Sequence, residues 1–240
     1  MPTHSRGDRL TPRRKPQLVR AVMPLLTAIA RLHRTRIEGA EHLPREGSAL
    51  LLVKHRATRD TLLLAWLLYH HTRRTANYVM KRGAAGLPPG LVEAFGGIPV
   101  IRAKDVLRLQ TRGERKALLA RARTREQEVR RYLARLYAHD EVIVVYPEGM
   151  FYPHRLGPLD GGAVRQIFAL EAASAKAVPV IPIGTAYGDS NRLCPQATFH
   201  VGPPHYAQTY PTPSAMMAAI RAQLTTLSGL DEGLDGSHAT

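Results

Sequence analysis

The stretch SALLLVKHRATRDTLLLAWLLYHH, Ser48 to His71, decides the fold class. Ala49 to Val53 is an unbroken apolar run, the pattern of a strand covered on both faces. It stops at Lys54-His55, and Arg56-Ala57-Thr58-Arg59-Asp60 leads into TLLLAWLLYHH, which reads as a helix burying most of its surface. A doubly covered strand followed by a buried helix is the unit from which α/β sheets are built.

The pattern repeats downstream. Tyr78-Val79-Met80 is a short strand, followed by the Gly/Pro-rich loop GAAGLPPG and a short helix over Leu91 to Phe95. Gly96-Gly97 breaks the chain before the strand Ile98-Pro99-Val100-Ile101, which carries Arg102 at its end. Residues 102–135 hold twelve Lys or Arg against four Asp or Glu. Leu118, Ala122, Val129, Leu133 and Leu136 give that region the apolar seam of a long helix with a basic outer face. Val142 to Tyr146 is the clearest buried strand and runs into Pro147-Glu148-Gly149. A helix follows from Gly161 to Ala177, with Val164, Ile167, Phe168 and Ala172 inward. The strand Val178 to Ile183 contains two prolines, which points to an edge or an irregular ladder. Thr198 to Val201 and Ala215 to Leu227 close the series as a strand and a helix. Upstream, Arg36 to Gly39 forms a short strand. Leu18, Val22, Leu25, Leu26, Ile29 and Leu32 recur at helical spacing from Gln17 to His33, with Pro24 expected to bend or restart the helix. The expected class is α/β: a mostly parallel central sheet flanked by helices, with an N-terminal amphipathic helix.

The chain has 240 residues, enough to bury a sizeable single core. Thirty-four Lys and Arg face nineteen Asp and Glu, for a net charge of +15, and twenty-eight of the basic residues are Arg. Such a field favours anionic partners: phosphorylated metabolites, nucleic acid or an acidic membrane. A single cysteine, Cys194, excludes an intrachain disulfide framework and a multi-cysteine metal cluster. The longest strongly apolar run, Leu62 to Tyr69, is eight residues, far short of the roughly twenty a spanning helix needs. The basic N-terminus lacks the compact apolar run of a signal peptide. The amphipathic helix fits two uses, covering the core or lying at a membrane interface.

Open α/β sheets place their sites at strand ends, and three ends here carry polar residues. On a strand-to-helix turn, Asp60 can fold back on His55, hold one imidazole nitrogen protonated and leave the other free as a base. Two such residues five apart also occur as a surface histidine near a helix N-terminus. Arg102 can offer its fork of donors to a phosphate or be one more solvated arginine. Glu148, on a Pro-Glu-Gly turn, can accept from backbone donors or a substrate hydroxyl, or simply sit in a turn. No GxSxG, HExxH, GxGxxG or GxxxxGK[ST] pattern occurs. A base acting on a substrate hydroxyl therefore fits better than a nucleophilic serine, a zinc centre or a nucleotide cradle. The long basic helix has few aromatic residues beside it and no nucleic-acid reading motif.

Taken in order, His55-xxxx-Asp60, Gly97-Ile98-Pro99-Val100-Ile101-Arg102, Tyr146-Pro147-Glu148-Gly149 and Val178-Pro179-Val180-Ile181-Pro182-Ile183-Gly184 resemble the four blocks of the glycerolipid acyltransferase family, of the lysophosphatidate type. The resemblance covers roughly residues 35–205. It implies transfer of a fatty acyl group from acyl-CoA or acyl carrier protein to the hydroxyl of a phosphate-bearing glycerolipid or related acceptor. His55 would be the general base and Asp60 its orienting partner. Lys81 and Arg102 would bind the acceptor's phosphate, Glu148 and Gly149 would shape the acceptor site, and residues 179–184 would line the pocket. The resemblance implies no bound cofactor and no metal. Its partners would be an anionic membrane surface, a lipid acceptor and, as donor, acyl carrier protein or acyl-CoA, with no nucleic acid. Location would be cytoplasmic and peripheral to the membrane.

The expected organisation is then a flexible basic arm over 1–16, the amphipathic helix over 17–34, the acyltransferase domain over 35–228 and a flexible tail over 229–240. Several residues depart from the family pattern. Lys54 stands where Asn is usual, Ala57 where Ser is usual, and Met150-Phe151 where Thr and a basic residue are common; Asp160-Gly161 fall where Lys is frequent. These leave the acceptor open. Two other functions compete with acyl transfer: a non-catalytic relative that binds acyl chains or anionic membranes, and a thioester hydrolase.

Overall fold

The computed structural model describes residues 16–81, 89–100, 112–174, 176–188 and 195–230. Seven strands form one sheet: β1 (Arg36–Glu38), β2 (Ala49–Val53), β3 (Ala76–Lys81), β4 (Gly97–Val100), β5 (Val142–Val145), β6 (Val180–Tyr187) and β7 (Ala197–Val201). Their spatial order is β1-β7-β6-β2-β5-β3-β4. The five strands β6, β2, β5, β3 and β4 are mutually parallel, while β7 pairs antiparallel with β6 and carries β1 parallel to itself. The fold is α/β with a mostly parallel central sheet, and helices flank it: α1 (Pro16–Leu32), α2 (Arg59–Thr72), α3 (Pro89–Ala94), α4 (Arg112–Ala138), α5 (Gly162–Ser174) and α6 (Pro213–Leu227).

The continuous apolar reading of β2 has a direct structural counterpart, since all five residues are fully buried. Successive side chains point to opposite faces. Leu51 and Val53 join Leu63, Leu64, Leu67 and Leu68 of α2 on one side. Leu50 and Leu52 join Val129, Leu133 and Leu136 of α4, Val164 and Ile167 of α5, and Ile220 and Leu224 of α6 on the other. This two-sided burial is why the strand could not show an alternating pattern.

Two expectations are corrected. The strand starting at Val178 begins at Val180, extends to Tyr187, and lies inside the sheet between β7 and β2, not at an edge. Pro182 is tolerated there because its carbonyl turns towards β7 and accepts from Gly202, one residue beyond that strand's end. Its nitrogen faces the same way, so the missing N–H costs no bond to β2 and falls at the very end of the β6–β7 ladder. Pro24 likewise does not restart α1, which is a single helix with Pro24 on its exposed side.

The inward stripe of α1 shares only Leu26 with the apolar positions read from the sequence. Val19, Met23, Leu26, Ala30 and His33 are buried, and all are spaced by three or four. The neighbouring stripe, Leu18, Val22, Leu25, Ile29 and Leu32, is only half-buried or exposed, with Leu25 62% and Leu32 64% exposed. A helix with two adjacent apolar stripes offers more apolar surface than one packing partner covers. The packed stripe rests on α2, where Trp66 Nε1 donates to Thr27 Oγ1 at 3.2 Å.

Candidate active site

The C-terminal ends of β2, β5 and β6 meet at one edge of the parallel sheet. After β2 the chain leaves the ladder at Lys54, whose N–H still donates to Ile183 of β6. The five residues that follow form the turn that aims His55 at Asp60. The Asp60 carboxylate is fully buried at the start of α2. Its Oδ2 accepts from His55 Nδ1 at 3.0 Å, from the Arg56 N–H at 2.7 Å and from the Ala57 N–H at 2.9 Å. The acid therefore ties down the turn that precedes it, and its place in the first helical turn suits the positive end of the helix dipole. Its other oxygen, Oδ1, accepts from the Tyr187 hydroxyl at the end of β6.

The imidazole packs against two rings. Tyr146 of the β5 end stacks on it at 4.0 Å between centroids with an interplanar angle of 24°, and Phe151 meets it tilted, at 4.2 Å and 49°. Tyr146 is held in turn by a 3.0 Å hydrogen bond between its hydroxyl and Thr61 Oγ1. Burial, and next the nearby Asp60 charge, push the Tyr146 phenol well above its ordinary value. Tyr187 is raised for the same two reasons in the same order. Both phenols are therefore neutral at physiological pH, and Tyr187 is the donor in its bond to Asp60. The His55 side chain is 15% exposed, and its Nε2 takes no hydrogen bond among the described residues.

Beside this pair lies a second, wholly enclosed one. Lys54 Nζ is 2.8 Å from both Glu148 oxygens and donates to the Tyr152 carbonyl at 2.8 Å. Glu148 Oε2 also accepts the His55 N–H at 3.1 Å, and Oε1 accepts the Gly157 N–H at 2.6 Å. Burial pulls the Lys54 ammonium below the ordinary lysine value, and the hydrogen bond and charge of Glu148 oppose that pull. The β5 end reaches this arrangement through Gly149, which takes a left-handed φ of 60° immediately after Glu148.

An apolar cavity of about 290 Å³ opens among α1, α2, β3, α3 and β4. Val22, Leu26, Ile29, Leu62, Tyr78 and Val92 are among the residues that line it. Thr61 lines it too, and Thr61 is both the neighbour of Asp60 and the partner of Tyr146.

The structure brings together three of the residues singled out from sequence, His55, Asp60 and Glu148, with Gly149 completing the turn. Lys81 is the last residue of β3, and Arg102 lies outside the described residues. Val180 to Ile183 are core, and Gly184 sits where a Cβ would lie 2.4 Å from the Leu227 backbone of α6. The site-facing residues of β6 are further on, at Thr185 and Tyr187. Sequence reading did not find Lys54 as the partner of Glu148, nor the roles of Tyr146, Phe151 and Tyr187. The available signal was their place at or just past the ends of parallel strands.

No curated protein sequence matches the chain. Among solved structures, it is similar to the 1-acyl-sn-glycerophosphate (LPA) acyltransferase PlsC of Thermotoga maritima. The TM-score is 0.55 at 12% sequence identity, over 90% of this chain and 83% of that one. That likeness is one of fold. The family model described as Acyltransferase matches residues 34–186, well over half of the chain, from before β1 to the last residue but one of β6. The chain therefore belongs to the acyltransferase family, as its resemblance to the glycerolipid acyltransferases implied.

Proposed function

We propose that the protein transfers a fatty acyl group from a thioester, acyl-CoA or acyl carrier protein, to the hydroxyl of a phosphate-bearing glycerolipid or a related acceptor. The observation that carries this reading is the 3.0 Å contact between His55 Nδ1 and the buried Asp60, with Nε2 left for a substrate. Asp60 keeps the proton on Nδ1, so Nε2 is the basic nitrogen. As the acceptor oxygen attacks the thioester carbonyl carbon, its proton passes to Nε2. The tetrahedral oxyanion collapses, the carbon–sulfur bond breaks, and the thiolate leaves and recovers the proton from the imidazolium. Neither an acyl-enzyme nor a protein nucleophile is needed, in keeping with the absence of GxSxG.

The apolar cavity supports an acyl substrate, since its lining is mostly aliphatic and aromatic and includes Thr61, the neighbour of Asp60. Its volume is near the lower end of known small-molecule sites. Lys81 and Arg102 are the proposed partners of an acceptor phosphate. The Glu148 carboxylate is already engaged by Lys54, His55 and Gly157. Its contribution, with Gly149, would be to shape the acceptor side through the loop it fixes. Peripheral attachment to the cytoplasmic face of an anionic membrane fits the exposed Leu25 and Leu32 of α1 beside the exposed Arg20, Arg31 and Arg34. Among the described residues no helix is long and apolar enough to cross a membrane.

The test is thioester consumption by purified protein with acyl-CoA and acyl carrier protein donors. Lysophospholipids, glycerol phosphate and lipid amines are offered as acceptors in vesicles, with His55→Ala run in parallel. An acylated product lost in the variant is the expected result. Free fatty acid without acceptor would make the protein a hydrolase. No product with any donor, from folded and vesicle-bound protein, would make it a binding relative.

A further inference from the structure

Tyr187 lies outside every sequence block of the family resemblance, yet its hydroxyl reaches the centre of the site. It is at the last position of β6, 127 residues from Asp60 in sequence, and donates to Asp60 Oδ1. The opposite oxygen carries three donors, His55 Nδ1 and the N–H groups of Arg56 and Ala57. The Arg59 guanidinium sits over the Tyr187 ring at 4.6 Å and holds it from the α2 side.

We infer that Tyr187 is a positioning residue which, by donating to Asp60 Oδ1, draws carboxylate charge away from His55 and so sets the imidazole's proton affinity. This rests on the proposed role of His55 as base. A hydrogen bond to an ionised acceptor is among the stronger ones, and in a buried setting its effect on a neighbouring charge is not screened away. Two backbone donors still anchor Oδ2 when the hydroxyl is removed, so the carboxylate keeps its place and faces the imidazole with more charge. The imidazolium is then better stabilised. The base must be neutral to act, so the acid limb of the rate profile moves to higher pH.

The charged and titratable groups around the trio belong to every neighbouring element. Arg56 and Arg59 come from the turn and α2, Tyr146 from β5, and the Lys54–Glu148 pair from the ends of β2 and β5. Tyr187→Phe removes one oxygen and changes the identity of none of these groups; only Arg59 loses a hydrogen bond with it, keeping its place over the ring. Burial keeps the Tyr187 phenol neutral, so it remains a donor throughout the range in which histidine titrates.

The experiment is a 15N-histidine NMR titration of the full chain, with the His55 resonance identified by its loss in His55→Gln. Wild type is compared with Tyr187→Phe, and kcat/KM is followed against pH alongside. The expected result is a His55 midpoint higher by about 0.5–1 pH unit in Tyr187→Phe, with the acid limb moving equally. An unchanged or lower midpoint overturns the inference, including the case where turnover falls without it. Should Tyr187→Phe not fold, 3-fluorotyrosine placed at position 187 keeps the ring and strengthens the donor. It must then lower the midpoint, and failure to do so is equally decisive. The titration needs no turnover, so a midpoint that shifts in a protein without acyl transfer would remove the proposed function and leave the Tyr187 assignment standing.

Discussion

Lys54 and His55 follow one another at the end of β2, and each meets a carboxylate, at 2.8 Å and 3.0 Å respectively. The two pairs differ in what is left over. Lys54 and Glu148 are both wholly buried, and every direction they offer is used within the protein: Tyr152, His55 and Gly157 complete the set. In the other pair only Asp60 is wholly buried, while His55 is partly open and has one ring nitrogen unengaged among the described residues. Alternation along the chain sends consecutive side chains in different directions, so one strand end supplies both a structural rivet and the base proposed for acyl transfer. What separates them is not residue type but whether a donor or acceptor remains for a substrate.

The largest expected effect breaks the reactive pair. His55→Ala should lower kcat about 10³-fold or more, and Asp60→Asn about 10²- to 10⁴-fold, because the wrong tautomer then faces the substrate. Both should be measured as initial rates of thioester consumption, with circular dichroism confirming the fold. Retention of even a tenth of the wild-type rate in His55→Ala would mean the base lies elsewhere.

Breaking the enclosed pair should instead appear in stability. Lys54→Met leaves a buried carboxylate without its cation, a change that costs about 3–5 kcal/mol. Replacing both partners, as in Lys54→Met with Glu148→Gln, should recover part of that loss, since no uncompensated charge is left. Urea unfolding of the two variants at constant m-value checks this. A loss below about 1 kcal/mol in the single variant would mean that Lys54 is not a rivet. Activity in the single variant should fall less than in His55→Ala, because Glu148 touches His55 through its backbone N–H and not its ring.

Much of this was legible in the sequence, for identifiable reasons. A buried parallel strand is a continuous apolar run, so β2 and β5 stood out, and their polar ends marked the site. His55 and Asp60 are five residues apart, and a local turn joins them. The partners that were not legible are those joined only by tertiary pairing. Glu148 lies 94 residues from Lys54, and Tyr187 lies 127 from Asp60. No periodicity encodes which strand ends meet, since this depends on the order β6-β2-β5. Which stripe of α1 packs was not legible for a different reason. Its two apolar stripes have the same spacing and differ by one residue, so the pattern alone does not say which one packs. Pro182 misled because a proline's cost depends on which neighbour its nitrogen faces.

A smaller effect sharpens the distinction between the pairs. Gly157 donates its N–H to Glu148 Oε1, and a Cβ at this position would lie 2.4 Å from the Tyr152 ring. Tyr152 in turn supplies the carbonyl that Lys54 binds. Gly157→Ala therefore presses on the rivet from two sides without touching the imidazole. Its expected cost is about 1–3 kcal/mol of stability, the usual range for overpacking. The pH at which His55 titrates should stay where it is in wild type, measured by the same NMR titration. A moved midpoint would show that the two pairs are electrostatically one unit.

The smallest effect on chemistry should come from the part of α1 that neither pair touches. Leu32 is 64% exposed and lies outside the cavity lining, next to the exposed Arg31. Exposed substitutions of this kind usually change stability by less than about 0.5 kcal/mol. If the second stripe of α1 enters a bilayer, Leu32→Ser with Arg31→Gln removes one inserted apolar side chain and one attraction to anionic lipid. Together these should weaken sedimentation with anionic vesicles about tenfold or more. Turnover of a short-chain, detergent-dispersed substrate pair should be unchanged, because delivery from the membrane is bypassed while His55, Asp60 and their supports are intact. Equal vesicle binding by wild type and variant would return Leu32 to the class of isolated exposed apolar residues that need no partner. Loss of turnover on the dispersed substrates would instead mean that α1 acts on the site through its packing against α2.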